Sequence, residues 1–136
     1  CVVHRKGATR AFSGEQPEIH SKFSRTGQPV IVPGDMGRGS WIMAGPHSGQ
    51  NQAFGSACHG AGRALSRAEA RRQINPEQKE SELRNKGIIV QAATKNILSE
   101  EAPEAYKDVD SVIKNTANAD LARPIVRLEP LAVIKG

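Results

Sequence analysis

The chain has 136 residues, enough for one domain with its own core, and its 19 Lys and Arg against 14 Asp and Glu give a formal net charge of +5. That balance suits a polyanionic partner such as RNA or a nucleotide, and equally an ordinary soluble protein that binds neither. Three Phe, one Tyr and one Trp are too few for a sheet that stacks successive bases, and no apolar run is long enough for a membrane span.

Cys1-Val2-Val3 reads as a short apolar strand entering directly, as from a cut through a larger protein, and no signal peptide is visible. The basic segment His4-Arg5-Lys6-Gly7-Ala8-Thr9-Arg10 follows, suited either to a solvated strand edge or to phosphate-backbone contact. Residues 13–29 hold Gly14, Pro17, Gly27 and Pro29 among polar side chains and read as loop. Val30-Ile31-Val32 and Trp41-Ile42-Met43-Ala44 are short strands flanking the turn Pro33 to Ser40. Gly34, Gly37 and Gly39 in that turn permit close ligand approach, although a tight hairpin accounts for them as well. Without Gly-Lys-Ser/Thr the turn is no Walker loop, and with no helix after it no dinucleotide fingerprint.

Residues 45–56 are read as loop. Good helix formers predict a helix over Arg63–Gln73, and Pro76 opens a second through Arg84. Gly87 to Gln91 is a strand. A helix is predicted from Pro103 to about Asn115, with Tyr106, Val109, Val112 and Ile113 on one face. Residues 121–128 and 131–135 close the chain as strands parted by Pro130. Regular βαβ alternation is missing, so the expected class is α+β, with mixed or antiparallel sheet layers and a few flanking helices.

The sharpest constellation is Cys58-His59-Gly60-Ala61-Gly62-Arg63. Gly60 and Gly62 let backbone N–H groups approach a phosphate, and a helix beginning at Arg63 would add its positive end and line Arg63, Arg67 and Arg71 along one face. An imidazole at such a helix mouth can bind an anion or attack one. A capped helix with solvated arginines accounts for the same residues. Cys58 and His59, neighbours in an extended strand, point to opposite faces and do not suit a nucleophile–base pair. The acidic run Glu100 to Asp110 around Pro103 fits helix capping better than a metal site, and Tyr106 there serves either as a base-stacking ring or as core. His4, His20, His47, His59 and the two cysteines show no ligand spacing, so no metal site is assigned to this chain.

Five segments in register, His4-Arg5-Lys6-Gly7-Ala8-Thr9-Arg10-Ala11, Pro33-Gly34-Asp35-Met36-Gly37, Phe54-Gly55-Ser56 leading to His59-Gly60-Ala61-Gly62-Arg63 and Ser66-Arg67, Glu101 to Asp110, and Val133-Ile134-Lys135-Gly136, resemble the carboxy-terminal part of the RtcB family of GTP-dependent RNA-splicing ligases. The resemblance spans residues 1–136. It implies joining of an RNA 3′-phosphate, or a 2′,3′-cyclic phosphate opened to it, to a 5′-hydroxyl through a histidine-GMP intermediate. By motif match the guanylylated residue is His59. Pro33, Gly34, Asp35 and Met36 would line the guanosine site, with Gly60, Ala61 and Gly62 beside the phosphate. Ser40 and Lys135 would contact guanine, Tyr106 would pack beside it, and Arg63 and Arg67 would lie near the RNA terminal phosphate.

The same resemblance implies manganese, with ligands in an amino-terminal part missing from this chain, so the fragment alone is expected to be inactive or nearly so. It implies RNA as partner (tRNA halves or broken transcripts), an archease-type activator, no membrane, and a cytoplasmic location. Arg38 and Trp41 depart from the family pattern in being bulkier than expected after the Gly-rich turn, and Asp35 stands where Ser also occurs. A non-catalytic nucleotide- or RNA-binding module and an inactive remnant are the alternatives. The first would bind RNA in a salt-sensitive way without forming a GTP adduct.

Overall fold

The computed structural model describes residues 1–47 and 53–136, so part of the loop expected over 45–56 lies outside the described residues. The fold is α+β. Among the described residues seven strands are formed: β1 (Ala8–Arg10), β2 (Pro29–Asp35), β3 (Gly39–Ala44), β4 (Ser56–Cys58), β5 (Ile89–Ala92), β6 (Arg123–Leu128) and β7 (Ala132–Lys135). Four α-helices accompany them among the same residues: α1 (Arg67–Gln73), α2 (Pro76–Asn85), α3 (Lys95–Glu100) and α4 (Val109–Asn118). The strands make three small sheets, antiparallel β1–β4, antiparallel β2–β3–β6, and parallel β5–β7.

Alternation along β2 turns Val30 and Val32 inward, where they meet Met43 of β3 and Val109 and Ile113 of α4 in the first of two cores. The opposite face carries Ile31, Ile42 and Val126 in one cross-strand row. The second core gathers Leu83, Ile88, Val90, Leu98 and Ala102 under α2, α3 and β5. Met36, in the turn after β2, leaves the first sheet and is buried in this second core. The Pro33–Ser40 turn therefore spans the two cores and fixes one against the other.

Three expectations are corrected. Cys1-Val2-Val3 forms no strand; pairing begins at Ala8, because β1 finds its partner β4 only across Ala8–Arg10. The helix predicted from Arg63 begins at Arg67: Ser66 is its N-cap, its Oγ accepting the Glu69 N–H, while Gly62 at φ +74° breaks the backbone before it. The helix predicted from Pro103 is divided into a single 3-10 turn, Pro103–Ala105, and α4, because Asp108 caps the Ser111 N–H and starts a new helix. Helix α3 was not expected at all.

Leu83 is 1% exposed at the centre of the second core. Leu83→Ala is expected to lower unfolding free energy by about 2–5 kcal/mol, measured by urea denaturation. Gly39 sits at φ +112°, and a Cβ there would lie 2.3 Å from the Leu128 carbonyl oxygen, whereas Gly62 at φ +74° faces open space. Gly39→Ala should therefore cost clearly more stability than Gly62→Ala in the same measurement.

Candidate active site

The end of β2 and the whole of β7 form two walls of an open cleft of about 350 Å³. Pro33, Gly34, Asp35, Met36 and Ser40 line one wall, and the segment Pro130 to Lys135 supplies the other. Six of the residues singled out in the sequence, five from the turn and Lys135 from the far end of the chain, thus share one cavity. The turn has its shape for a steric reason. The β2–β3 register shifts at Gly34, and a Cβ there would stand 2.0 Å from the Gly39 carbonyl oxygen, so no larger residue fits. The Gly34 N–H donates to Ser40 Oγ at 3.3 Å, which leaves the Ser40 hydroxyl proton available to another acceptor.

Asp35 does not offer its carboxylate to the cleft. The side chain is fully covered, with Oδ1 accepting the Gly37 and Arg38 N–H groups at 3.0 and 2.9 Å and Oδ2 paired with Arg38 Nε at 2.7 Å. Asp35 and Met36 therefore shape the cleft through their backbone, their side chains being engaged in the turn and the core. The departures at Arg38 and Trp41 act outward from the motif. Arg38 donates to the Pro103 and Tyr106 carbonyls and Trp41 Nε1 to Asp110 at 2.7 Å, tying the hairpin to the start of α4.

His59 follows directly on β4, and its imidazole is exposed, with no hydrogen bond or ion pair among the described residues. The backbone after it is held on two sides. The Ala61 N–H donates to the Pro33 carbonyl at 3.0 Å, and the Gly62 carbonyl accepts the Lys107 N–H at 2.9 Å. A Cβ on Gly60 would come within 3.3 Å of the same Pro33 oxygen, so the loop lies directly against the cleft wall. His59 is not at a helix mouth: α1 begins eight residues later, and the donors this loop could offer an anion are its own N–H groups rather than a helix terminus.

Arg63, Arg67 and Arg71 do not form one helical row, because Arg63 precedes the helix, yet all three converge on Glu100 and Glu101 at the end of α3. Arg71 and Arg67 pair with Glu100 at 2.6 and 3.4 Å. Arg63 donates to the Glu100 carbonyl at 2.6 Å and the Leu65 carbonyl at 2.9 Å, pairs with Glu101 at 3.4 Å, and lies over the Tyr106 ring at 4.9 Å. Tyr106 is not a wall of the cleft. It borders a neighbouring hollow of about 460 Å³ with Arg38, Lys79 and Glu104. That hollow is the larger of the two, but two of the three cations lining it are already paired, Lys79 with Glu82 and with Glu104 at 2.6 Å and Arg38 with Asp35. Tyr106 reaches the cleft through Glu101, whose Oε2 accepts the Tyr106 hydroxyl at 2.7 Å and faces Lys135 Nζ at 3.5 Å.

Sequence reading passed over Glu101 as one acid among several; its role depends on three partners from distant segments. Burial pushes its pKa up, but the Tyr106 hydroxyl, Lys135 and Arg63 outweigh that and hold it below the ordinary range. Burial and the adjacent carboxylate raise the pKa of Tyr106, so the phenol is a proton donor at neutral pH. Among the basic residues near the amino terminus, Arg5 donates to Ser56 Oγ and Arg10 to Gln28, and both lie over the Phe12 ring, so these two serve the fold. Among the described residues no group of three or more His, Cys, Asp or Glu comes together, so they do not fit the manganese that the resemblance implies. No helix among them is long and apolar enough to cross a membrane.

The family described as tRNA-splicing ligase RtcB matches residues 1–136. The chain belongs to the RtcB family. It is 50% identical over 138 residues to the tRNA-splicing ligase RtcB of Methanopyrus kandleri, covering 99% of this chain and 14% of that protein. To the RtcB proteins of Pyrobaculum aerophilum and Pyrococcus horikoshii it is 48% and 47% identical, over 98% and 99% of this chain. The chain spans 28% and 16% of those two relatives.

A carboxylate whose pKa is lowered by folding contributes stability above its unfolded value and loses it as pH falls through the folded value. The stability difference between the wild type and Glu101→Gln should therefore be full at neutral pH and shrink as pH falls below the ordinary value of about 4.5. Urea midpoints across the acid range check this; a difference that does not change with pH would contradict the assignment.

Proposed function

We propose that the RtcB protein to which this chain belongs is an RNA ligase that uses GTP, and that His59 is its covalent nucleophile. The observation that carries the reading is the bond from Ala61 N–H to the Pro33 carbonyl, which sets the His59 loop against a cleft lined by Gly34, Ser40 and Lys135.

Guanosine occupies the cleft. Guanine offers two acceptors, N7 and O6, on one edge, where adenine has one acceptor and one donor. Ser40 Oγ–H and Lys135 Nζ–H are donors and match the guanine edge. A neutral His59 nitrogen attacks the α-phosphorus of GTP. A P–N bond forms, the bond from that phosphorus to the bridging oxygen breaks, and pyrophosphate leaves. The Gly60 and Gly62 N–H groups stabilise the developing charge on the phosphate oxygens, the Ala61 N–H being spent on the Pro33 carbonyl. An oxygen of the RNA 3′-phosphate then displaces His59 from phosphorus, giving an RNA–phosphate–GMP anhydride. The RNA 5′-hydroxyl, losing its proton, attacks the RNA phosphorus; the new phosphodiester forms and GMP departs.

Arg67, with its side chain 66% exposed and only a 3.4 Å pairing to Glu100, can turn to an RNA phosphate. Arg63 contributes charge rather than a free donor, since its N–H groups are engaged within the protein. RNA, tRNA halves or cleaved transcripts, is the substrate in this reading, with a cytoplasmic setting and an archease-type activator as partner.

Full-length protein incubated with manganese and GTP labelled at the α-phosphate should take up label in an acid-labile adduct. His59→Ala should reduce it to background, with folding unchanged by circular dichroism because the imidazole is exposed. Undiminished label in that variant would exclude His59 as nucleophile.

A further inference from the structure

We propose that Glu101 is a positioning residue for the guanine-reading lysine, fixing the Lys135 ammonium at the cleft by a carboxylate that Tyr106 and Arg63 hold from behind. The inference rests on the guanosine reading of the cleft and adds to it the group that sets the lysine's place.

A lysine ammonium at the end of a four-carbon stem is a mobile, strongly hydrated point charge, poorly suited to discriminate one base edge from another unless something anchors it. Lys135 is the penultimate residue of the chain, its side chain 40% exposed, and within the described residues its one ion pair is to Glu101 Oε2 at 3.5 Å. That carboxylate is itself rigidly placed. It belongs to the C-cap residue that follows α3, directly before the fully buried Ala102, and its side chain is 17% exposed. Oε2 accepts the Tyr106 hydroxyl at 2.7 Å and Oε1 faces Arg63 Nη1 at 3.4 Å. Tyr106 is held in turn by the Arg63 guanidinium over its ring and by a β-bridge to Arg63.

The arrangement does two things for the ammonium. It supplies one charged acceptor, so one N–H points away from the cleft and the remaining donors are directed toward it. It also offsets the cost of holding an unpaired cation there before nucleotide arrives. Tyr106 and Arg63 thus affect the guanine site without forming its walls, which accounts for the tyrosine lying outside the cleft.

The test uses full-length protein, manganese and GTP, reading His59-dependent guanylylation. Glu101→Gln keeps the size and the Tyr106 contact but removes the charge. It should raise KM for GTP about tenfold with kcat little changed, the size of one charge-assisted hydrogen bond. Lys135→Ala should do the same, and the double variant should be no worse than Lys135→Ala alone, because both changes remove one interaction. Effects that multiply in the double variant, or an unchanged KM in Glu101→Gln, overturn the positioning role. Should Glu101→Gln fail to fold by circular dichroism, Tyr106→Phe replaces it. That variant frees the carboxylate while keeping the ring and should raise KM a few-fold; an unchanged KM there also overturns the role. Loss of His59 dependence in the wild type would instead sink the ligase reading itself, so the two failures are separable.

Discussion

A single main-chain hydrogen bond, from the Ala61 N–H to the carbonyl of Pro33, joins the two halves of the site. One partner belongs to the loop that carries His59, the other to the strand whose end forms the cleft. Neither side chain takes part, so the register of the His59 loop and the cleft is set by backbone, and what the sequence must supply is permission for the close approach. Gly60 supplies it on one side, since a Cβ there would already lie 3.3 Å from the Pro33 oxygen. The bulge at Gly34 supplies it on the other, turning the Pro33 carbonyl and the Ser40 hydroxyl to the positions they hold.

The charged residues follow a different logic. Most are matched inside the protein: Asp35 with Arg38, Lys79 with Glu82 and Glu104, Asp110 with Arg127 and the Trp41 N–H. These fix the turn and α4 and leave little charge for a ligand. Part of the basic excess gathers at the end of α3, where Arg63, Arg67, Arg71 and Lys135 share two carboxylates, Glu100 and Glu101. Arginines held by carboxylates are positioned in advance, and in the proposed reading an RNA phosphate would compete for them without having to order a free side chain.

Much of this was legible in the sequence because it is local. Val30–Val32 and Trp41–Ala44 read as strands from their apolar runs, Pro76 marked the start of α2, and Pro33 to Ser40 with Lys135 stood out as motif residues. The start of α1 was legible too: Ser66-Arg67-Ala68-Glu69 is a capping-box pattern, outweighed by the helix formers that precede it. Asp108 and Ser111 carried a similar signal for α4. Helix α3 was harder, with six residues and no side-chain cap to announce it. What could not be read locally was long-range. The parallel pairing of β5 with β7 brings Lys135 to the cleft across more than forty residues, and the meeting of Glu101 with Arg63, Tyr106 and Lys135 depends on three separate segments. Tyr106 was expected beside the nucleotide; its place behind Glu101 follows from tertiary pairing that no spacing encodes.

The most direct measurement is the location of the nucleotide on the polypeptide. Full-length protein loaded with GTP and manganese would be digested under alkaline conditions that preserve a P–N bond, and its peptides fragmented in a mass spectrometer that separates His47 from His59. GMP on His59 alone is the expected result. GMP on His4, His20, His47, on a lysine, or on a segment outside this chain would contradict the account.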